Sequence, residues 1–137
     1  MKNSLNILLI EDNLIEIMKM KRTLSFLDLP HNLVEAKNGE IALNILEEKT
    51  NLPDLILLDL NMPKVSGIEF LTILKNSDAI KHIPTVILTT SDHQKDLEEC
   101  FKIGVSGYIL KPLKYDDYVK KIEAVLAYWS INELIKY

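Results

Sequence analysis

Three carboxylates and an ammonium stand where apolar runs of this chain stop, and those groups gathered at one place could bind a divalent metal and move a phosphoryl group. Residues 5–10 run into Glu11-Asp12, Leu55–Leu58 runs into Asp59, and residues 106–110 run into Lys111-Pro112. As neighbouring parallel strands, these runs bring all four charges to one edge. Crowded carboxylates repel and are costly to ionise unless a cation neutralises them, so a metal is implied as soon as the strands are paired. A few carboxylate oxygens with water completing the shell suit Mg²⁺. Asp12 and Asp59 are the expected direct ligands. Glu11, with its longer arm, is expected to act through water, and the backbone carbonyl of Asn61 lies where the loop after Asp59 turns past the metal.

Asp59 can be nucleophile as well as ligand, because an aspartate accepts a phosphoryl group as an acyl phosphate. In-line transfer asks for little covalent help from the protein and much positioning of charge around the equatorial oxygens. Lys111 supplies a cation for one oxygen, and Thr89, closing the apolar run 85–89, can donate its hydroxyl to another. Each piece has an ordinary reading alone: an acidic residue after a strand is often a helix N-cap, Lys-Pro is often a turn, and a threonine at a strand end is ordinary strand chemistry. Their joint occurrence at the ends of separate strands decides for the chemical reading.

The elements that must position these residues are legible as alternating patterns. Continuous apolar runs mark strands buried on both faces, at 5–10, around 32–35, at 54–59, at 85–89 and at 106–110. Between them apolar residues recur at helical spacing: Leu14, Ile17, Met20 or Lys21, Leu24 and Leu27, stopped near Pro30; then Ile41, Ala42, Ile45 and Leu46 after Asn38-Gly39. Ser66 and Glu69 fit a capping box opening a third helix with Phe70, Leu71 and Leu74 inward. A fourth helix, about 94–103, has only a thin stripe of Leu97, Cys100 and Phe101, with Gly104 as its stop. The last starts near Tyr115 and presents Tyr118, Val119, Ile122, Val125, Leu126 and Trp129 on one face. The sum is an α/β fold, a doubly wound (βα)5 flavodoxin-like parallel sheet of order 2-1-3-4-5, whose site lies at the carboxyl ends of strands one and three.

One domain is expected over residues 1–137, with a core of about 5–129 and a tail, 130–137, extending helix five. Continued helically, that tail would expose a second stripe of Ala127, Ile131, Leu134 and Ile135. Ser130 could instead start a new turn boxed by Glu133, the stripe could meet a partner subunit, or the tail could fray. Hydrophobic residues at 47% and charged residues at 26% are ordinary for a folded globular chain. The net charge of −4 disfavours direct nucleic-acid binding. The lone Cys100 excludes an internal disulfide and points to a reducing compartment. The first apolar run is too short for a signal core or membrane span, so a cytoplasmic protein without membrane contact is expected.

These residues resemble the receiver domain of two-component response regulators. The likeness is carried by Glu11-Asp12, the Leu-Leu-Asp-Leu-Asn-Met-Pro run at 57–63, Thr89-Thr90-Ser91, and residues 104–112, all in family order and spacing. It implies phosphorylation of Asp59 by a partner histidine kinase, Mg²⁺ held by Glu11, Asp12, Asp59 and the Asn61 carbonyl, and Thr89 and Lys111 on the phosphoryl group. It also implies a cis bond before Pro112, a switch in which Tyr108 follows Thr89, and catalysis limited to the protein's own phosphorylation and dephosphorylation. Thr90 is bulkier than the residue often found beside that threonine, and Asn61 and Ser91 stand where the family tunes its dephosphorylation.

No output domain follows, so a stand-alone regulator is expected, signalling to a downstream protein target or a phosphotransfer protein. Residues 83–91 and the pair Tyr128-Trp129 are similar to small regulators that partner phytochrome-type kinases. Homodimerisation through helix four, strand five and helix five is a further expectation. The enzyme-class rival, an Mg²⁺-dependent aspartyl-phosphate phosphatase or phosphotransferase, would want a second acid just after the nucleophile and a cap over the substrate, whereas Leu60-Asn61 follows Asp59. A flavin module would want a phosphate loop where Glu11-Asp12 stands.

Overall fold

Strands and helices alternate through residues 4–135, the part of the chain described by this computed structural model. In chain order they are β1 (Asn6–Ile10), α1 (Leu14–Phe26), β2 (Asn32–Ala36), α2 (Gly39–Glu47), β3 (Leu55–Leu58), α3 (Gly67–Lys75), β4 (Thr85–Thr89), α4 (Gln94–Ile103), β5 (Gly107–Leu110) and α5 (Tyr115–Ser130). All strand pairs are parallel, in the order β2-β1-β3-β4-β5 that the sequence predicts.

Side chains alternate across the sheet, and both faces are sealed. Leu8, Ile10, Ile56, Leu58 and Ile87 point to one core with Ala42, Leu46, Phe70, Leu71, Leu74 and Cys100. Ile7, Leu9, Leu55, Leu57, Val86 and Leu88 point to the other with Ile17, Met20, Leu24, Tyr118, Ile122 and Leu126. A fully buried aliphatic side chain contributes roughly 1.5–3 kcal/mol, so the ends of β1 and β3 are held by their own strands before any site chemistry begins.

Three helical positions expected inside are outside. Leu14 is 60% exposed, Ile41 41% and Phe101 52%. Leu14 is the first residue of α1, at the sheet edge, while Ile41 and Phe101 lie one residue, about 100°, round the helix from Ala42 and Cys100, which take the buried positions. Cys100 is fully buried, and burial pushes its thiol up to about 11, so it is a core residue rather than a nucleophile. α4 has one buried residue and no side-chain N-cap, and it ends at Gly104 with φ 120°, a backbone state that favours glycine.

The expected extension of helix five does not form within the described residues, and residues 136–137 lie outside them. α5 ends at Ser130, whose hydroxyl donates to Ala127 O at 2.9 Å. The Asn132 amide donates to Tyr128 O at 2.7 Å, taking up a terminal carbonyl, and the chain then turns so that Leu134 packs against the core shared by α1 and α5. Glu133, Leu134 and Ile135 close a cavity of about 190 Å³ against Trp129, Pro53 and Pro84. The second stripe is therefore divided, with Leu134 half-buried by this chain and Ile131 left 78% exposed.

Candidate functional site

Backbone ties the end of β1 to β3 on one side and to β2 on the other. Asp59 N–H donates to Ile10 O at 3.0 Å, and Glu11 N–H donates to Ala36 O at 3.0 Å. One carboxylate oxygen from each of Glu11, Asp12 and Asp59 then lies within 4.8 Å of the others. Glu11 is 3% and Asp59 8% exposed, whereas Asp12 is open to solvent. The N-cap explanation for the acidic pair fails here, because Asn13 does the capping: its Oδ1 accepts from Ile15 N–H at 2.9 Å and Glu16 N–H at 3.3 Å. Asp12 is left for other work, while Glu11 accepts from Asn13 N–H at its Oε2 at 3.2 Å and keeps Oε1 for Lys111.

Gly67 allows the start of α3 to press against this strand end. A Cβ there would lie 2.5 Å from Asp59 O and 2.6 Å from Leu60 Cα, both backbone atoms. Its N–H donates to Leu60 O at 3.1 Å.

Lys111 enters from the end of β5, its N–H donating to Thr89 O at 2.8 Å. Its Nζ donates to Glu11 Oε1 at 2.6 Å and lies 3.2 Å from Glu16 Oε1. The expected cis bond before Pro112 is absent; the peptide is trans, the isomer favoured by roughly 0.5–1 kcal/mol in X-Pro bonds. The ammonium is aimed by its ion pairs instead.

Burial pushes the Glu11 carboxyl up to about 7 against the pull of Lys111, and the neighbouring Asp59 charge adds to the rise. Asp59 is raised as well, again chiefly by burial, although the Lys111 field, the Thr89 hydroxyl and the Asn61 N–H all pull it down. Burial acts to strip Lys111 of its proton, but the hydrogen bond to Glu11 and the fields of Glu11, Asp59 and Glu16 outweigh it, so the ammonium is held above its ordinary value. Two buried carboxyls that resist ionisation beside an exposed third make an all-oxygen donor set that fits a divalent cation.

Thr89, fully buried at the end of β4, has its hydroxyl near enough to Asp59 to help hold that carboxyl's charge, and accepts from Ser91 N–H at 3.3 Å. Tyr108 on β5 is half-buried against the core under α4 and donates its hydroxyl to Ser91 O at 2.9 Å. Ser91 thus joins the two residues that the resemblance paired, and its own hydroxyl donates to Asp96 of α4 at 2.6 Å. Thr90 faces solvent. Asn61 is exposed, and its N–H helps lower the Asp59 pKa against burial. Glu11, Asp12 and Asp59 converge with Lys111, and Thr89 and the Asn61 N–H act on Asp59, whereas Tyr108 is linked to Thr89 through Ser91.

Two participants were missed in the sequence. Glu16 stands four residues after Asp12, a one-turn spacing that could have flagged it, but an acid in a first helical turn is common for dipole reasons alone. The Ser91–Asp96 tie had no signal, since it depends on where α4 begins.

Residues 7–123 match the response regulator receiver domain family. The chain belongs to that family. It is similar to the probable methanogenesis regulatory protein FilR2 of Methanothrix harundinacea, 35% identical over 90% of this chain and 82% of the relative. It is also similar to response regulator Rcp1 of Synechocystis sp., 32% identical over 90% of this chain and 87% of the relative. The crystal structure of the Mn²⁺-bound form of Rcp1 superposes with a TM-score of 0.87 at 30% identity, covering 97% of this chain and 99% of that one. The phosphorylated cyanobacterial phytochrome response regulator RcpA gives 0.89 at 30% identity, over 99% and 100%. This receiver is accordingly a response regulator of a two-component system, not an enzyme in the ordinary sense, and its acidic pocket is of the kind that serves aspartyl phosphorylation with a divalent metal. No helix among the described residues is long and apolar enough to cross a membrane.

Proposed function

We propose that this receiver accepts a phosphoryl group on Asp59 from a histidine kinase, using Mg²⁺, and passes the signal on by protein contact. A carboxylate oxygen of Asp59 attacks phosphorus as the bond from phosphorus to the donor breaks, and the bonding pair leaves with the donor. Glu11, Asp12, Asp59 and the Asn61 carbonyl would hold the metal, which supplies positive charge to the phosphoryl oxygens. Lys111 offers its ammonium and Thr89 its hydroxyl to the same group, and Tyr108 follows Thr89 to change the surface around α4 and β5. The observation that carries the reading is the position of Asp59: buried, within the three-carboxylate cluster and in the field of Lys111.

The kinase is proposed to be of the phytochrome type, on the likeness to RcpA and Rcp1. The receiver is proposed to act in the cytoplasm on a downstream protein or phosphotransfer partner, without direct nucleic-acid contact, and to dimerise through α4, β5 and α5. Phe101 at 52%, Leu110 at 40% and Tyr128 at 57% exposed support that face as an interface. Sedimentation that finds only monomer with and without a phosphate mimic would remove the dimer. Incubation with Mg²⁺ and acetyl phosphate, followed by intact mass, tests the central step: one phosphoryl adduct is expected on the native chain and none on Asp59→Asn. An adduct that survives Asp59→Asn would overturn it.

A further inference from the structure

Glu16 has no part in the metal cluster, yet it holds the cation that the phosphoryl group needs. Lys111 Nζ sits between Glu11 Oε1 at 2.6 Å and Glu16 Oε1 at 3.2 Å, and those are its ion-pair partners among the described residues. Glu11 belongs to the three-carboxylate group and Glu16 does not. The Oε1 of Glu16 is buried and lacks a hydrogen-bond partner, so its stabilisation is the off-axis ion contact with Lys111. From the solvent side its Oε2 is tied to Lys19 at 3.0 Å, and the Lys19 ammonium rests 4.5 Å from the centre of the Tyr118 ring. The carboxylate is thereby braced from behind, with its inner oxygen turned toward Lys111.

We propose that Glu16 is a positioning residue that holds Lys111 back toward α1 while Asp59 is unmodified, and so sets how readily Asp59 takes up a phosphoryl group. The proposal rests on Asp59 being the phosphoacceptor. An ammonium has three donors that rotate together, and the Glu16 Oε1 contact is not a well-aligned hydrogen bond. Once phosphoryl oxygens stand on Asp59, Lys111 must turn to them, and Glu16 is the contact it gives up, because Glu11 lies beside those oxygens and Glu16 does not. A pairing that favours only the unmodified form opposes uptake. With Lys111 side chain 7% exposed and Glu16 22%, the pair is partly screened, and its loss is expected to ease uptake about two- to fivefold.

The test uses the full chain with Mg²⁺ and acetyl phosphate, and beryllofluoride as a stable stand-in for the phosphoryl group. Glu16→Gln keeps the shape and removes the charge. It is expected to lower the half-saturating concentrations of acetyl phosphate and of beryllofluoride about two- to fivefold, and to move the Lys111 side-chain nitrogen resonance in the free protein but not in the beryllofluoride complex. A merely structural role would not produce that state-dependent resonance. Glu16→Asp, too short to reach Lys111, is expected to behave like Glu16→Gln. Unchanged half-saturation, or an equal resonance shift in both states, overturns the proposal while wild-type phosphorylation on Asp59 leaves the main reading intact. An adduct surviving Asp59→Asn sinks both.

Discussion

β3 and β5 each deliver a charged residue to the site, and they are built differently. Every residue of β3 is buried between two strands and two helical layers; β5 is an edge strand, paired only with β4, and none of its residues is fully buried. Leu58, just ahead of Asp59, is 0% exposed, and Leu110, just ahead of Lys111, is 40% exposed. The carboxylates that must stay crowded are thus fixed by a sealed scaffold, while the cation and Tyr108 ride on the side of the sheet that is least anchored. The neighbouring α4, with one buried residue, extends that lightly packed region. Elements that rearrange are drawn from such regions because little apolar burial has to be given up.

The sharpest way to break this contrast is to truncate the two leucines. Leu58→Ala is expected to lose about 2–5 kcal/mol in urea unfolding, and Leu110→Ala less than about 1 kcal/mol; equal losses would mean that the two strands are equally anchored. Next in size is Gly67→Ala, which drives a methyl into the backbone at Asp59 and Leu60 and is expected to cost about 1–3 kcal/mol in thermal unfolding. A neutral result would show that the β3 end yields more easily than its packing implies. Tyr108→Phe removes the bond to Ser91 O at a cost of about 1 kcal/mol. It should speed amide exchange in β5 and leave β3 protected, so faster exchange in both strands would contradict the division.

The smallest effect sits at the opposite edge of the sheet. His31 Nδ1 accepts from Leu5 N–H at 2.9 Å, which requires the neutral ring, and burial holds its pKa below the ordinary 6.5. The unfolded chain therefore takes up this proton first. The contribution is present above the ordinary histidine value and is lost as pH falls through the lower folded one. Comparing native protein with His31→Gln by urea unfolding isolates it: the native advantage should shrink on acidification, and an advantage that grew would reverse the sign.

Much of this was legible in the residues. Strand and helix types, their order and the sheet order follow from continuous apolar runs alternating with helical stripes, because a strand buried on both faces needs the first pattern and a surface helix the second. The cluster Glu11, Asp12 and Asp59 was legible for the same reason: parallel strands end at one edge. Details that failed were matters of rotation and termination. Ile41 and Phe101 are one residue off the buried stripe, and α5 stops at Ser130 because Asn132 and Leu134 find partners in the chain itself.

By itself, then, the sequence determined which strand ends would meet and so brought Glu11, Asp12, Asp59 and Lys111 to one edge, since apolar periodicity is local and the parallel topology permits few alternatives. Only the tertiary structure decided how the side chains share one another: that Asn13 caps α1 and frees Asp12, that Lys111 divides its charge between Glu11 and Glu16, and that Ser91 connects Thr89 to Tyr108. Those outcomes depend on distances of a few ångströms between elements far apart in the chain, and hydrogen bonds and ion pairs are sensitive to such distances in a way that hydrophobic patterning is not.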